Sequence, residues 1–215
     1  DCRFRNNAVT GSAGVSLSLP LSPSRDGSVP SLSLSYDSGY GQCAFGLGWS
    51  LDYPQIVRST TRRLPLYDDC EDSDVFVLNG LDLVCIGEEK RGDILVRHYR
   101  LQAENNFIRV EYHRQTSGES NFYVFESDGS ILSFGVNEES RIVDPTVNTR
   151  IYAYLLHRRE DVFGNVFIYR YRTEGANRYL EQILYGNKEP FCSSIESNGY
   201  ELGVFFEYEN RDDVF

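Results

Sequence analysis

Between Val15 and Tyr36, leucines alternate with serines: Leu17 and Leu19, then Leu32 and Leu34, recur at a period of two. Successive side chains of a strand point to opposite faces, so each run has one apolar and one hydroxyl face. Pro23, Asp26, Gly27 and Pro30 lie between the runs. Proline presets φ and glycine permits positive φ, so the segment predicts two paired strands joined by a long loop. The next stretch, Ser38 to Asp52 (SGYGQCAFGLGWSLD), sets four glycines around Phe45, Leu47 and the only Trp, Trp49. Glycine weakens an ordinary strand, so this run predicts tight bends or close backbone approach. Phe45, Leu47, Trp49 and Leu51, with Gly46 and Gly48 between them, are expected to anchor a core beneath the turn.

Strand-like pieces follow at short intervals: Gln55–Arg58, Val75–Leu78, Leu81–Ile86, Ile94–Leu101, Phe107–His113, Phe122–Ser127 and Ile131–Phe134. Asn79-Gly80 and Asp128-Gly129 are the dipeptides preferred in type I′ hairpins, where both central residues take positive φ. In the last third, Ile151–His157, Val166–Arg172, Leu180–Tyr185 and Val204–Tyr208 continue the pattern, with Phe163-Gly164-Asn165 and Thr173-Glu174-Gly175 as turns. Many short strands without an amphipathic helical stretch predict an all-β fold of antiparallel sheets built from successive hairpins. One domain over residues 1–215 is expected, with Glu138–Thr149 as the seam if there is one.

Composition supports the β assignment. The 15 Tyr and 13 Phe, against one Trp and no Met, favour pleated, half-buried surfaces. A net charge of −11 repels phosphate backbones and anionic lipid, and Arg62-Arg63 and His157-Arg158-Arg159 are too short to reverse it, so no nucleic-acid partner is expected. No run reaches the roughly 20 apolar residues of a membrane span. The chain opens on Asp1 rather than Met and is expected to be a piece of a longer protein. Cys2, Cys43, Cys70, Cys85 and Cys192 are odd in number and scattered, which argues against a disulfide framework and for thiols acting as small hydrophobes, with a Cys70–Cys85 bridge as the alternative.

The run TGSAGVSLSLPLSPSRDGSVPSLSLSYDSGYG followed by FGLGWSL resembles the N-terminal region of SpvB-type virulence proteins and of the B components (TcB, TcaC-like) of bacterial insecticidal toxin complexes. The likeness continues through Leu64-Pro-Leu-Tyr-Asp-Asp69, Phe76-Val-Leu-Asn-Gly80 and Ser140-Arg-Ile-Val-Asp-Pro145. Arg159 to Asn165, leading to Tyr169 and Tyr171, is similar to an Rhs/YD-type repeat. Asp26 and Gln42-Cys43-Ala44 depart mildly from the pattern. The resemblance implies a strip of a larger Rhs-like β shell, in a secreted protein also found in the cytoplasm of producing or target cells. It further implies a scaffold that houses or presents a downstream effector, with any catalytic domain outside this chain and no cofactor. The implied partners are the remainder of the polypeptide and other toxin-complex subunits.

The signature residues are structural: Phe45, Gly46, Leu47, Gly48, Trp49, Leu51, Asn79, Gly80, Asp128, Gly129, Gly164 and Asn165. Three look-alikes of chemistry stand beside them. An ADP-ribosyltransferase needs an arginine, a hydroxyl-bearing strand and a Glu-x-Glu pair, and the chain offers Arg58-Ser59-Thr60-Thr61 and Glu207-Tyr208-Glu209 on an alternating strand. The acidic run Asp68 to Asp74 has oxygen ligands for Ca²⁺ but lacks the EF-hand glycine and terminal Glu, and is expected to be a solvated loop. His98 and His113 could face each other across neighbouring strands, yet a metal site wants a third ligand. A carbohydrate or cell-surface binding module is the rival reading, since exposed tyrosines stack on sugars; tyrosines packed beneath strands would favour the scaffold.

Overall fold

The computed structural model describes residues 2–7, 12–24, 27–39, 41–69, 73–103, 107–190 and 199–209. Its regular secondary structure is antiparallel strand apart from one 3₁₀ turn, and it divides at Pro54/Gln55 into two compact units.

In the first unit, β1 (Cys2–Asn7), β2 (Ser12–Ser18), β3 (Ser33–Asp37) and β6 (Trp49–Asp52) form a sheet in the order β1-β2-β3-β6. The Leu/Ser alternation sets its register. Leu17 lies opposite Leu34 and Leu34 opposite Leu51, while Ser16, Ser35 and Ser50 align on the other face. Tyr36 pairs with Trp49, their ring centroids 5.2 Å apart. β4 (Gln42–Cys43) and β5 (Gly46–Leu47) make a separate two-stranded ribbon. The expected close approach falls at Gly48, where φ is +77° and an added Cβ would lie 2.8 Å from the Asp37 carbonyl. The expected core anchor needs correction: Leu51 and Leu32 are buried, Trp49 and Phe45 are half-buried, and Leu47 is 65% exposed. Leu47 belongs to the ribbon, outside the Leu/Ser sheet, so the apolar face it would join is not its own.

The second unit contains β7 (Gln55–Arg58), β8 (Phe76–Leu78), β9 (Leu81–Arg91), β10 (Ile94–Leu101), β11 (Arg109–Gln115), β12 (Ser120–Phe125), β13 (Ile131–Phe134), β14 (Arg141–Asp144), β15 (Val147–Glu160), β16 (Val166–Glu174), β17 (Asn177–Asn187) and β18 (Tyr200–Phe205). Successive hairpins join β7 through β13. The sheet then closes, because β15 pairs with β13 on one edge and with β7 on the other. The ring β7-β8-β9-β10-β11-β12-β13-β15 is therefore an eight-stranded antiparallel barrel. Alternation fills its interior: β12 follows a strict buried/half-buried pattern, with Phe122 and Val124 inward. Phe122 sits 4.9 Å from the rings of Tyr112 and Tyr154 and 5.0 Å from Phe76. The Tyr154 and Phe76 pairs are edge-to-face, and aromatic pairs of this kind add about 0.5–1.5 kcal/mol each beyond their burial. The far half of β15 leads into a meander through β16 and β17 to β18, which buries Phe167, Ile168, Tyr169, Tyr171, Leu180, Ile183 and Tyr185.

Turn chemistry agrees with the sequence at Asn79-Gly80, where φ is 49° and 84°, both positive as a type I′ turn requires. At Asp128-Gly129 the expectation is corrected. Only Gly129 has positive φ, and the loop closes through Glu126 N–H to Ser130 O and Gly129 N–H to Glu126 O. This is the three-residue loop with glycine in the left-handed position. The same two bonds recur in Ser24–Ser28, Gln115–Glu119 and Asp161–Asn165, with Gly27, Gly118 and Gly164 fourth in each. A fixed x-x-x-Gly-x frame thus serves four hairpins. The proposed seam at 138–149 is likewise replaced. Glu138–Ser140 is a 3₁₀ turn capped reciprocally with Asn137, and Arg141–Asp144 pairs with β15 around a Pro145-Thr146 turn. Its proline sits in the turn, and Thr146 N–H donates to Asp144 Oδ1 at 2.8 Å, so the stretch is a strand and turn of the second unit.

Candidate functional site

In β7, Ile56 and Arg58 point inward while Gln55 and Val57 point out, so strand alternation alone delivers a guanidinium to an apolar interior. Arg58 is 1% exposed. A buried charge persists only if paired and hydrogen-bonded. The segment between β7 and β8 supplies the partners: Arg58 Nη2 donates to both oxygens of Asp69 at 2.7 and 2.9 Å, and Nη1 to Asp74 at 2.9 Å. Nε donates to the Ile151 carbonyl at 2.7 Å, tying β7 to β15. Asp74 also accepts the backbone N–H groups of Leu66 and Tyr67, both at 2.8 Å. Asp69 accepts from the Tyr112 hydroxyl at 3.1 Å, and its carbonyl from Arg97 Nη1 at 2.7 Å. The guanidinium carbon lies 4.7 Å from the Phe76 ring centroid and 5.0 Å from that of Tyr67.

Burial opposes the charge on Arg58, but Asp69 and the surrounding hydroxyls outweigh it and its pKa rises. Burial likewise acts to raise Asp74, yet the two backbone donors and Arg58 hold it below the usual carboxylate value. Tyr112 and Tyr154 are pushed up, chiefly by burial. Every donor atom of the Arg58 fork is occupied from within the fold. The arrangement fastens a loop to a barrel and offers a substrate anion no free edge of the guanidinium.

The structure does not assemble the transferase look-alike. Arg58 is enclosed as described, whereas Glu207 and Glu209 are exposed on the segment after β18, which ends at Phe205 rather than continuing as a strand. His98 and His113 do not face each other. The register sets His98 opposite Glu111 and His113 opposite Val96, and both histidines turn to the buried Glu111: His113 Nε2 at 2.9 Å, His98 Nδ1 at 3.8 Å. Arg91 and Arg109 approach the same carboxylate at 3.3 and 3.8 Å. Among the described residues no group of three or more His, Cys, Asp or Glu is placed to hold a metal ion. In the acidic run, Asp69 and Asp74 are committed to Arg58, while residues 70–72 lie outside the described residues. So do Cys70 and Cys192 and the side chains of Cys2 and Cys43; Cys85 Sγ contacts the Gly87 carbonyl at 3.7 Å.

Gly164 and Asn165 belong to a turn whose Asp161 accepts the N–H groups of Phe163 and Asn165 at 2.8 and 2.9 Å. Asn187 on β17 then clamps it from the side, taking Val166 N–H and donating to Gly164 O, both at 2.9 Å. Of the tyrosines, seven are half-buried: Tyr36, Tyr53, Tyr67, Tyr123, Tyr179, Tyr200 and Tyr208. Tyr99, Tyr112, Tyr154, Tyr169, Tyr171 and Tyr185 are buried, and among the described tyrosines only Tyr152 is exposed, at 36%. A surface cavity of about 390 Å³ on the second unit, lined by Glu119, Glu138, Arg141 and Arg178 among others, contains none of the sequence-predicted site residues.

One half-buried group, His157, reports on pH. Burial, then Arg158 and Arg170, lower the pKa of His157 from 6.5 to about 4. The unfolded chain binds the proton first as pH falls, so stability is complete above pH 6.5 and declines between there and about pH 4. One pKa unit is worth about 1.4 kcal/mol, so the loss approaches roughly 3 kcal/mol at most. Urea midpoints at pH 7 and 4.5 should differ less in His157→Gln than in the parent; an equal difference would assign the acid sensitivity to carboxylates alone.

The family described as "Salmonella virulence plasmid 65kDa B protein" matches residues 7–177. Mono(ADP-ribosyl)transferases SpvB of Salmonella choleraesuis and Salmonella typhimurium are 29% identical over 241 residues, covering 94% of this chain and 40% of theirs. The chain thus spans about 40% of the length of the curated relatives it matches. The N-terminal domain of effector protein SpvB from Salmonella typhimurium strain LT2 superposes with a TM-score of 0.79 at 27% identity, over 90% of this chain and 72% of that one. The crystal structure of TcdB2-TccC3 superposes with a TM-score of 0.84 at 26% identity, over 99% of this chain but 12% of that one. The Photorhabdus luminescens Tc holotoxin pore gives 0.76 at 30% identity, over 82% and 9%.

Proposed function

Since the chain belongs to the SpvB family, as a β-shell segment of a toxin or virulence polypeptide, we propose that it is a non-catalytic scaffold that helps to enclose or present a toxic effector encoded downstream. The supporting observation is the Arg58 clamp: the one arginine that resembles a transferase residue is spent inside the barrel on fold closure. Burial of six tyrosines, with only Tyr152 exposed among the described ones, supports the same reading over a carbohydrate-binding module. The partners are the remainder of its polypeptide and other toxin-complex subunits, and the setting is that of a secreted virulence factor. Within the longer polypeptide, Phe122→Asp would break the barrel core. The effector should then be digested by added protease as fast as the isolated effector, while the parent protects it. Equal protection in parent and variant, or ADP-ribosyl transfer by residues 1–215 alone, would overturn the proposal.

A further inference from the structure

Arg62 and Arg63 have no part in the clamp, yet they sit on the segment it fastens. Thr60 to Leu64 are exposed without interruption, Leu64 at 80%, and residues 60–65 make no backbone–backbone hydrogen bond among the described residues. Among the described residues, every arginine and lysine except Arg62, Arg63 and Lys188 belongs to a strand. A serine protease takes its substrate as an extended segment, so residues already held in a ladder are closed to it; Arg150, in the bulge between Val147 and Ile151, is held instead by Asp144 at 3.6 Å and by the Tyr67 ring. Lys188 is tied on both sides: its N–H donates to Gly199 O at 3.1 Å, and the Glu189 carbonyl accepts from Asn187 Nδ2 at 2.6 Å. Arg63 donates to the Ser73 carbonyl. Arg62 has no hydrogen bond or ion pair among the described residues, which leaves its guanidinium available to the acidic specificity pocket of a trypsin-like enzyme.

We propose that the Arg62–Arg63 peptide bond is a processing site for a trypsin-like serine protease, and that the cut leaves the barrel assembled. Water adds at the Arg62 carbonyl carbon and the C–N bond breaks, leaving a carboxylate on Arg62 and an ammonium on Arg63, with no change of oxidation state. Both sides of the nick remain fastened. Arg58, upstream, holds Asp69 and Asp74, downstream, and β7 keeps its ladders with β8 and β15. The chain becomes two pieces, 1–62 and 63–215, that stay associated through β7.

The test is limited trypsin digestion of the folded chain, read by intact mass under denaturing conditions and by size exclusion without denaturant. Between residues 55 and 190 the first cut should fall after Arg62, the two products should co-elute, and they should separate in urea. Arg62→Gln with Arg63→Gln, both on the surface, should abolish that first cut and leave the elution volume unchanged. A first cut at any other Arg or Lys between 55 and 190, or separation of the pieces without denaturant, would overturn the proposal.

Discussion

Replacing Arg58 by methionine is expected to lower the unfolding free energy of the barrel by about 3–5 kcal/mol, the usual cost of leaving one side of a buried ion pair uncompensated. The reason is what stays behind. The Asp74 side chain is 2% exposed and that of Asp69 14%, so two carboxylates would have to remain charged without their cation, protonate, or pull the loop into water. Arg58→Lys should be intermediate, because a single ammonium cannot serve Ile151, Asp69 and Asp74 together; the lost charged hydrogen bonds are worth about 1.5–3 kcal/mol each. Arg58→Met combined with Asp74→Asn should cost less than the sum of the two, since they remove the same interaction. Urea melts read by tyrosine near-ultraviolet circular dichroism would measure this. If Arg58→Met moves the midpoint no further than a change in the exposed Arg91–Glu89 pair, the clamp is not what holds the loop. Acid should weaken it in a definite direction. Asp74 is held low, so its contribution is complete above the unfolded value of 3.8 and disappears as pH falls through the lower folded one.

Gly135→Ala is the second large expected effect, a loss of about 2–5 kcal/mol from two additive causes. Gly135 has φ +64°, and a Cβ built there would stand 2.5 Å from Cδ1 of Tyr154. The ring has no room to retreat: Tyr154 is fully buried, its hydroxyl bonds Ser120 at 2.8 Å, and Phe122 packs against it edge-to-face at 4.9 Å. Gly175 is the matched control, with φ +59° and nothing within 4 Å of an added Cβ. Gly175→Ala should show the backbone cost alone, about 1–2 kcal/mol. Equal losses at the two sites would mean that Tyr154 yields and that the packing around Phe122 is looser than its ring distances indicate.

How much of this was legible depended on range along the chain. Leu17, Leu34 and Leu51 declare their common face through spacing, and Asn79-Gly80 declares its turn through the only residue types that tolerate the required φ. The FGLGW run foretold close approach at Gly48, but not that Leu47 would fall in a ribbon apart from the sheet. Arg58 was misleading for a physical reason. Its hydroxyl neighbours are adjacent in sequence, whereas the partners that determine its role lie 11, 16 and 93 positions away. The Pro145 stretch read as a linker because proline and acidic residues are depleted in strands. In the fold the proline occupies the turn, and β14 lies against a 14-residue β15. Pairing of β7 with β15 has no local signature at all.

That last pairing also sets an order of events in time. During synthesis the hairpins from β7 to β13 can form as they emerge, each from neighbouring residues. The ring cannot shut until Leu155 has left the ribosome, and Arg58 must wait for the Ile151 carbonyl through 93 further residues. Until then β7 and β13 present unpaired edges, the kind of surface on which nascent chains pair with one another. The same distant contact that seals the finished barrel makes its completion a late step of biogenesis, with the interval before it the chain's period of greatest exposure to misassembly.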